Sequence, residues 1–246
     1  MKRDLFLFVP AYNVEKELPD LLRSIPAEIL LRTEEILVVD DGSSDGTRKV
    51  AADFLQNEIR TRVRIESFAS NRGYGAVVKC GISRAKFLKK DDVRFAVCLH
   101  GDGQYSASAI PRMISVLEDS RTAAVQGSRL ARKGSARKGK MPIYKFIGGK
   151  ILTKIENIVF TNKLTDRHSG LIAFRVDFLE TLELSKLSAS FDIDLEILAI
   201  ADAKGFQISE VPIETRYADE KSNLSVIPYG LRVLRIILLR FLGRYG

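Results

Sequence analysis

The segment Val97-Cys98-Leu99-His100-Gly101-Asp102-Gly103-Gln104-Tyr105 constrains the fold more than any other part of this sequence. A short apolar run breaks abruptly into an Asp flanked by glycines. Such a run predicts a buried strand, and its polar end puts Asp102 at the strand's carboxyl edge. In open α/β sheets ligands bind at that edge, where a carboxylate is a ligand for a hard cation. The flanking glycines, Gly101 and Gly103, let a bulky anion approach the backbone. Two earlier apolar runs end in a similar way. One is Phe8-Val9-Pro10-Ala11-Tyr12-Asn13, and the other runs Val39-Asp40-Asp41-Gly42-Ser43-Ser44-Asp45-Gly46-Thr47. Strand ends of this kind, recurring along one chain, predict a nucleotide and metal site.

The pattern between them alternates. Strands are expected at 4–9, 35–39, 63–68, 94–99 and 123–127, and helices at 14–25, 46–58, 74–89 and 108–118. This βα repetition predicts a mostly parallel sheet covered on both faces. Ser44 or Asp45 can cap the helix after the acidic turn, and Ser106 or Ser108 the helix after Asp102. Beyond residue 128 the pattern changes. Ile143, Ile147, Ile151, Ile155 and Ile158 recur at helical spacing, with Lys145, Lys150 and Lys154 on other faces. A strand at 171–175, a helix at 193–203 and a strand at 207–212 follow. A last helix near 229–242 sets Leu231, Leu234, Leu238 and Phe241 against Arg232, Arg235 and Arg240. Core packing is the commonest fate of such a stripe; subunit pairing and a lipid interface are the alternatives.

A chain of 246 residues with 46% apolar content suits one α/β domain. Cys80 and Cys98 lie in apolar surroundings and read as free thiols of a reducing compartment. The first apolar run is short and leads straight into a strand end, so no signal peptide is expected. No apolar run reaches membrane-spanning length, so a cytoplasmic protein is expected, soluble or peripheral on the inner membrane face. A net charge of +8 calls for anionic partners. Arg129, Arg132, Lys133, Arg137, Lys138 and Lys140 form a run without an acidic residue. No aromatic side chain interleaves it to stack bases, which disfavours nucleic acid and leaves phosphates, membranes or plain solvation. Gly73-Tyr74-Gly75 lacks the third glycine of a dinucleotide fingerprint.

Seven short motifs occur in order: P-A-Y-N at 10–13, V-V-D-D-G-S-S-D-G-T at 38–47, N-R-G-Y-G-A at 71–76, H-G-D-G-Q at 100–104, Q-G-S-R at 126–129, D-R-H-S-G at 166–170 and V-P-I-E-T-R-Y at 211–217. Together they resemble the family 2 glycosyltransferases of the GT-A fold, in particular the dolichyl-phosphate mannose synthase and polyprenyl-phosphate glycosyltransferase branch. The likeness runs from about Leu5 to Ser225. One departure stands out: the family's metal motif is usually Asp-x-Asp, and His100 replaces its first Asp.

The resemblance implies a single Rossmann-like catalytic domain over 1–225. Residues 226–246 would be an amphipathic helix, either part of it or an interfacial or oligomer element. It implies inverting transfer of a sugar from a UDP-sugar or GDP-mannose to a polyprenyl phosphate, with Mg2+ or Mn2+. Asp102 and Gln104 resemble the metal-site residues, and His100 would bind metal or hydrogen-bond the nucleotide. Pro10, Tyr12, Asn13, Asp40, Asp41, Arg72, Gly73 and Gly101 would cradle the nucleotide. Arg129 resembles the arginine near the transferring phosphates, where its guanidinium can fork onto oxygens. Asp166 resembles a residue at the donor–acceptor junction. Arg216 and Lys221 resemble the segment that closes over the two phosphates. Asp194 and Glu196, near a helix start, are candidate general bases should the acceptor be a hydroxyl. That hydroxyl acceptor is one rival; a non-catalytic nucleotide- or membrane-binding module is another, since His100 breaks the metal motif. A homodimer is also open.

Overall fold

The computed structural model describes residues 2–57, 62–132, 134, 139, 141–216 and 226–245. Among them a seven-stranded sheet forms, in the order β3-β2-β1-β4-β6-β5-β7. The strands are β1 (Leu5–Ala11), β2 (Thr33–Asp40), β3 (Arg62–Ser67), β4 (Phe95–Cys98), β5 (Thr122–Ser128), β6 (Ile172–Arg175) and β7 (Gln207–Pro212). All neighbours pair in parallel except β6, which runs antiparallel to both β4 and β5. The mostly parallel sheet expected from the βα alternation is present.

Both faces of the central strands are covered, which is why they read as unbroken apolar runs rather than alternating ones. Leu5, Leu7 and Val9 of β1 join one core with helix α1 (Leu18–Arg23), helix α2 (Ala27–Arg32) and helix α5 (Ile110–Leu117). Phe6 and Phe8 point into the other core with helix α4 (Tyr74–Leu88). Gly81 lets α4 sit directly on Phe8: a Cβ there would come within 2.4 Å of the ring. Helix α3 (Thr47–Asn57) follows the acidic turn, and Asp45 accepts from the Thr47 amide at 2.9 Å, serving the capping role expected of it. Helix α1 starts later than expected, at Leu18, and the short α2 and α7 (Val176–Glu180) are additions that the periodicity did not disclose.

The chain steps outward from β1 to β2 and β3, then returns to place β4 on the other side of β1. The crevice at the carboxyl ends of β1 and β4 is therefore a topological switch point.

The second half adds helix α6 (Ile143–Val159), helix α8 (Ile193–Ala203) and helix α9 (Val226–Phe241). Phe160, Leu195, Ala199, Val233, Ile236 and Ile237 make the small core that joins them. Here the structure departs from expectation. The α9 stripe Leu231, Leu234, Leu238 and Phe241 is exposed, and Val233, Ile236 and Ile237 face inward instead. Helix α6 is similarly inverted: Ile143, Ile147, Ile151, Ile155 and Ile158 are exposed, whereas Thr153 and Glu156 are buried. Among the described residues no helix is long and apolar enough to cross a membrane.

Candidate active site

The first wall of the crevice is built by loops after β1, β2 and β3. Asn13, at φ 53°, accepts from the Ser44 amide at 2.9 Å and donates its own amide to Ser43 Oγ at 2.9 Å. This laces the Pro10–Asn13 loop to the acidic turn, with Tyr12 exposed beside it. Asp40 and Asp41 are both buried, and their environments differ. Asp41 accepts from the Arg72 amide at 2.7 Å and the Gly73 amide at 3.0 Å, one on each carboxylate oxygen. Asp40 accepts from the Ser43 amide at 3.0 Å through Oδ1. Asp41 is thus a clasp that shapes the Arg72–Gly73 loop, and Asp40 is the better placed of the two to meet a nucleotide. Gly42 has φ +72°, and a Cβ there would lie 2.6 Å from the Ser70 backbone, so the turn requires glycine.

The opposite wall is the turn after β4. Gly101 donates to the Pro10 carbonyl at 2.9 Å, and a Cβ at Gly101 would crowd that same oxygen. The missing side chain is what brings Asp102 against the β1 loop. Asp102 Oδ1 accepts from the Gln104 amide at 3.0 Å, an Asx turn that leaves Oδ2 for a ligand. The Arg216 amide donates to the Gln104 carbonyl at 3.0 Å, and Thr215 bridges Tyr105. Arg216, exposed, is thereby tied through its backbone to the turn that carries Asp102. Gly139, near the end of the basic run, packs against Thr215. Lys221, Lys133, Arg137, Lys138 and Lys140 lie outside the described residues.

Below Asp102 sits a polar chain. His100 Nε2 is 3.0 Å from the Tyr74 hydroxyl, which donates to Asp194 Oδ2 at 2.8 Å. Tyr105 meets the His100 ring edge-on, and Phe191 stacks on Tyr74. Burial pushes Asp194 up to about 7, with the Tyr74 hydroxyl drawing it partway back. Burial also lowers His100, against the pull of Asp102. Asp194 meets the crevice only through Tyr74 and His100. Glu196 is turned elsewhere, accepting from the Ser188 amide and from Tyr245.

On the far side, Arg129 forks onto Asp166, with Nε to Oδ2 at 2.6 Å and Nη2 to Oδ1 at 2.9 Å. Asp166 is wholly enclosed; burial opposes its ionisation, but the Arg129 guanidinium holds it below the usual carboxylate range. The two sequence candidates therefore form one unit, in which a buried Asp166 orients Arg129. His168, held near 4 by burial and so neutral, bonds Tyr229 of α9 at 2.8 Å through Nδ1. Its Nε2 lies 3.4 Å from Glu156, which burial pushes up to about 8. Tyr74, Tyr105 and His168 lie in the motifs or segments quoted from the sequence without being named there as site residues, and Tyr229 falls in none of them.

Among the described residues no three His, Cys, Asp or Glu side chains converge as a closed metal cage. The donor set that is present, the Asp102 carboxylate beside the His100 imidazole, fits an open site whose cation is completed by substrate oxygens.

A doubly wound sheet with acidic and glycine-rich turns at its switch crevice is the architecture of GT-A glycosyltransferases. Glucosyl-3-phosphoglycerate synthase from Mycobacterium tuberculosis, solved with Mn2+, uridine-diphosphate and phosphoglyceric acid, shares that fold. It superposes at a TM-score of 0.69 with 16% identity, over 97% of this chain and 78% of that one. Residues 6–183 match the family model for Glycosyl transferase family 2, and the chain belongs to that family. It is a glycosyltransferase. Its relatives include the UDP-N-acetylglucosamine–dolichyl-phosphate N-acetylglucosaminyltransferase of Methanococcus voltae, 26% identical over 98% of this chain and 97% of the relative. The polyprenol monophosphomannose synthase of Mycolicibacterium smegmatis is 28% identical over 84% of this chain and 75% of its own length.

Proposed function

We propose that this protein transfers a sugar from a nucleoside-diphosphate sugar, a UDP-sugar or GDP-mannose, to a polyprenyl phosphate, with inversion, at the cytoplasmic face of a membrane. An acceptor phosphate oxygen attacks the anomeric carbon. The bond from that carbon to the donor diphosphate breaks, and the electron pair leaves with the nucleoside diphosphate. A divalent cation, Mg2+ or Mn2+, held by Asp102 with His100 and Gln104 beside it, would offset the charge on the departing diphosphate. Pro10, Tyr12, Asn13 and Asp40 bind the nucleotide, and Arg129 and Arg216 meet phosphate oxygens, with Lys221 supplying a further positive charge.

The observation that carries the choice of acceptor is where the candidate carboxylates sit. A hydroxyl acceptor needs a base, but Asp166 is enclosed by Arg129, Glu196 is bonded to Ser188 and Tyr245, and Asp194 is screened by Tyr74. A phosphate is already an anion and needs only positioning and charge stabilisation. A second feature supports a lipid-borne phosphate. The exposed stripes of α6 and α9 lie on helices that pack together, and neither helix carries an exposed acidic residue. Lys150, Lys154 and Arg235 are exposed on the same two helices. An apolar face with a cationic fringe suits an anionic bilayer surface. A second copy would bring like charges together.

Thermal denaturation with UDP- and GDP-sugars, each with Mn2+ or Mg2+, tests the donor half. One donor at about 100 times its Kd adds about 2.7 kcal/mol and raises Tm only with metal present. No shift with either class of nucleotide would refute the proposed donor site.

A further inference from the structure

The chain lacks the first carboxylate of its metal motif, and the polar chain behind His100 shows what stands in for it. At pH 8, above the value of about 7 to which burial pushes Asp194, its carboxylate is ionised and only accepts, so the single Tyr74 hydroxyl proton goes to it at 2.8 Å. Tyr74 Oη can then only accept from the ring nitrogen 3.0 Å away, so His100 Nε2 carries a proton. A neutral imidazole with its proton on Nε2 leaves Nδ1 bare, which is the form that can bind a cation. The packing closes the Nε2 edge of the ring. A Cβ on Gly170 would lie 2.3 Å from Nε2 and 2.4 Å from Cε1, so that edge is closed by the D-R-H-S-G loop. His100 nevertheless keeps part of its surface exposed, two residues before Asp102.

Resting on the donor-site reading above, we propose that Asp194 and Tyr74 fix His100 as its Nε2–H tautomer, so that Nδ1 serves beside Asp102 as a ligand of the divalent cation. Tyr74 and Asp194 are then positioning residues that act through the imidazole, and Gly170 is the space the ring needs. A hydrogen-bond partner on the ring's far nitrogen sets both the tautomer and the orientation of a metal-binding histidine. It also explains why the loss of one carboxylate is compatible with a working site.

The test reads the tautomer directly. The chain has two histidines, so long-range 1H–15N spectra of 15N-histidine-labelled protein at pH 8, compared with His100→Gln, assign His100. The expected signature is a proton on Nε2 and an unprotonated Nδ1. Tyr74→Phe keeps the ring against Phe191 and should release the preference, giving a mixture of tautomers. With UDP present, Mn2+ should broaden the His100 signals. By electron paramagnetic resonance Tyr74→Phe should bind Mn2+ about 10- to 100-fold more weakly than the parent. A proton on Nδ1 in the parent, or an unchanged tautomer in Tyr74→Phe, overturns the proposal. If the tautomer is as stated but Mn2+ with UDP leaves His100 untouched, the ligand role is overturned. If UDP fails to perturb any resonance, the fault lies with the donor-site reading.

Discussion

Asp102 and Arg129 look alike in sequence, each a charged residue within a family motif, but their surroundings predict opposite phenotypes. Asp102 bonds only the Gln104 amide within its own turn. Asp102→Ala should cut transfer by about 100-fold or more while leaving Tm within a few degrees of the parent. Arg129 is the cation that compensates a wholly buried Asp166. Arg129→Ala should therefore destabilise the fold by about 3–5 kcal/mol in urea titrations, since it strands a buried charge. An unperturbed midpoint would mean that Asp166 is stabilised some other way. Asp194 gives a pH prediction. Its folded value of about 7 stands above the ordinary 3.8, so between those limits the native state holds a proton that the unfolded chain has released. Stability should fall as pH rises from about 4 to about 7, and Asp194→Asn should flatten that decline when Tm is followed across the range. The sequence disclosed Asp102 and Arg216 because each ends or follows a strand motif. It did not separate Asp40 from Asp41, since only the folded Arg72–Gly73 loop shows which carboxylate is already spent.

At the level of elements, alternation of apolar runs and helical periods sufficed for the parallel core, where each strand is buried on both faces. It did not reveal that β6 runs antiparallel, because strand direction depends on the connection through α6, not on the strand's own residues. Helix α6 was legible as a helix and illegible as to which face is inside. Its isoleucine stripe points outward because the inward positions hold Thr153 and Glu156, the latter 3.7 Å from the buried Arg167. That inversion leads to an experiment. Ile147→Glu with Leu238→Glu should leave the far-UV spectrum and Tm intact, as both side chains are exposed at 50% and 55%. The same pair should weaken partitioning onto anionic vesicles by at least about tenfold, because each aliphatic side chain buried in the interface contributes about 1.5–3 kcal/mol. Equal vesicle binding by parent and variant would remove these helices from the docking surface.

For the whole molecule, the +8 net charge, the crevice at the β1–β4 switch and the paired apolar helices describe one arrangement. In the proposed reaction a soluble donor would enter at the strand ends, and a lipid-borne anion would approach from the side where the chain is basic and apolar. Composition called for anionic partners without indicating a surface for them, because the exposed face of α6 and α9 depends on how those helices pack against α8. The central claim is transfer to a phosphate on a lipid, and labelled-sugar transfer measures it most directly. Purified protein would be given radiolabelled UDP- and GDP-sugars with Mn2+ or Mg2+, and vesicles containing either a polyprenyl phosphate or the matching polyprenol. Label should enter the lipid phase only with the phosphate, as an acid-labile glycosyl phosphate of inverted anomeric configuration. Label passing to the polyprenol or to a soluble hydroxyl acceptor, with none on the polyprenyl phosphate, would contradict the account.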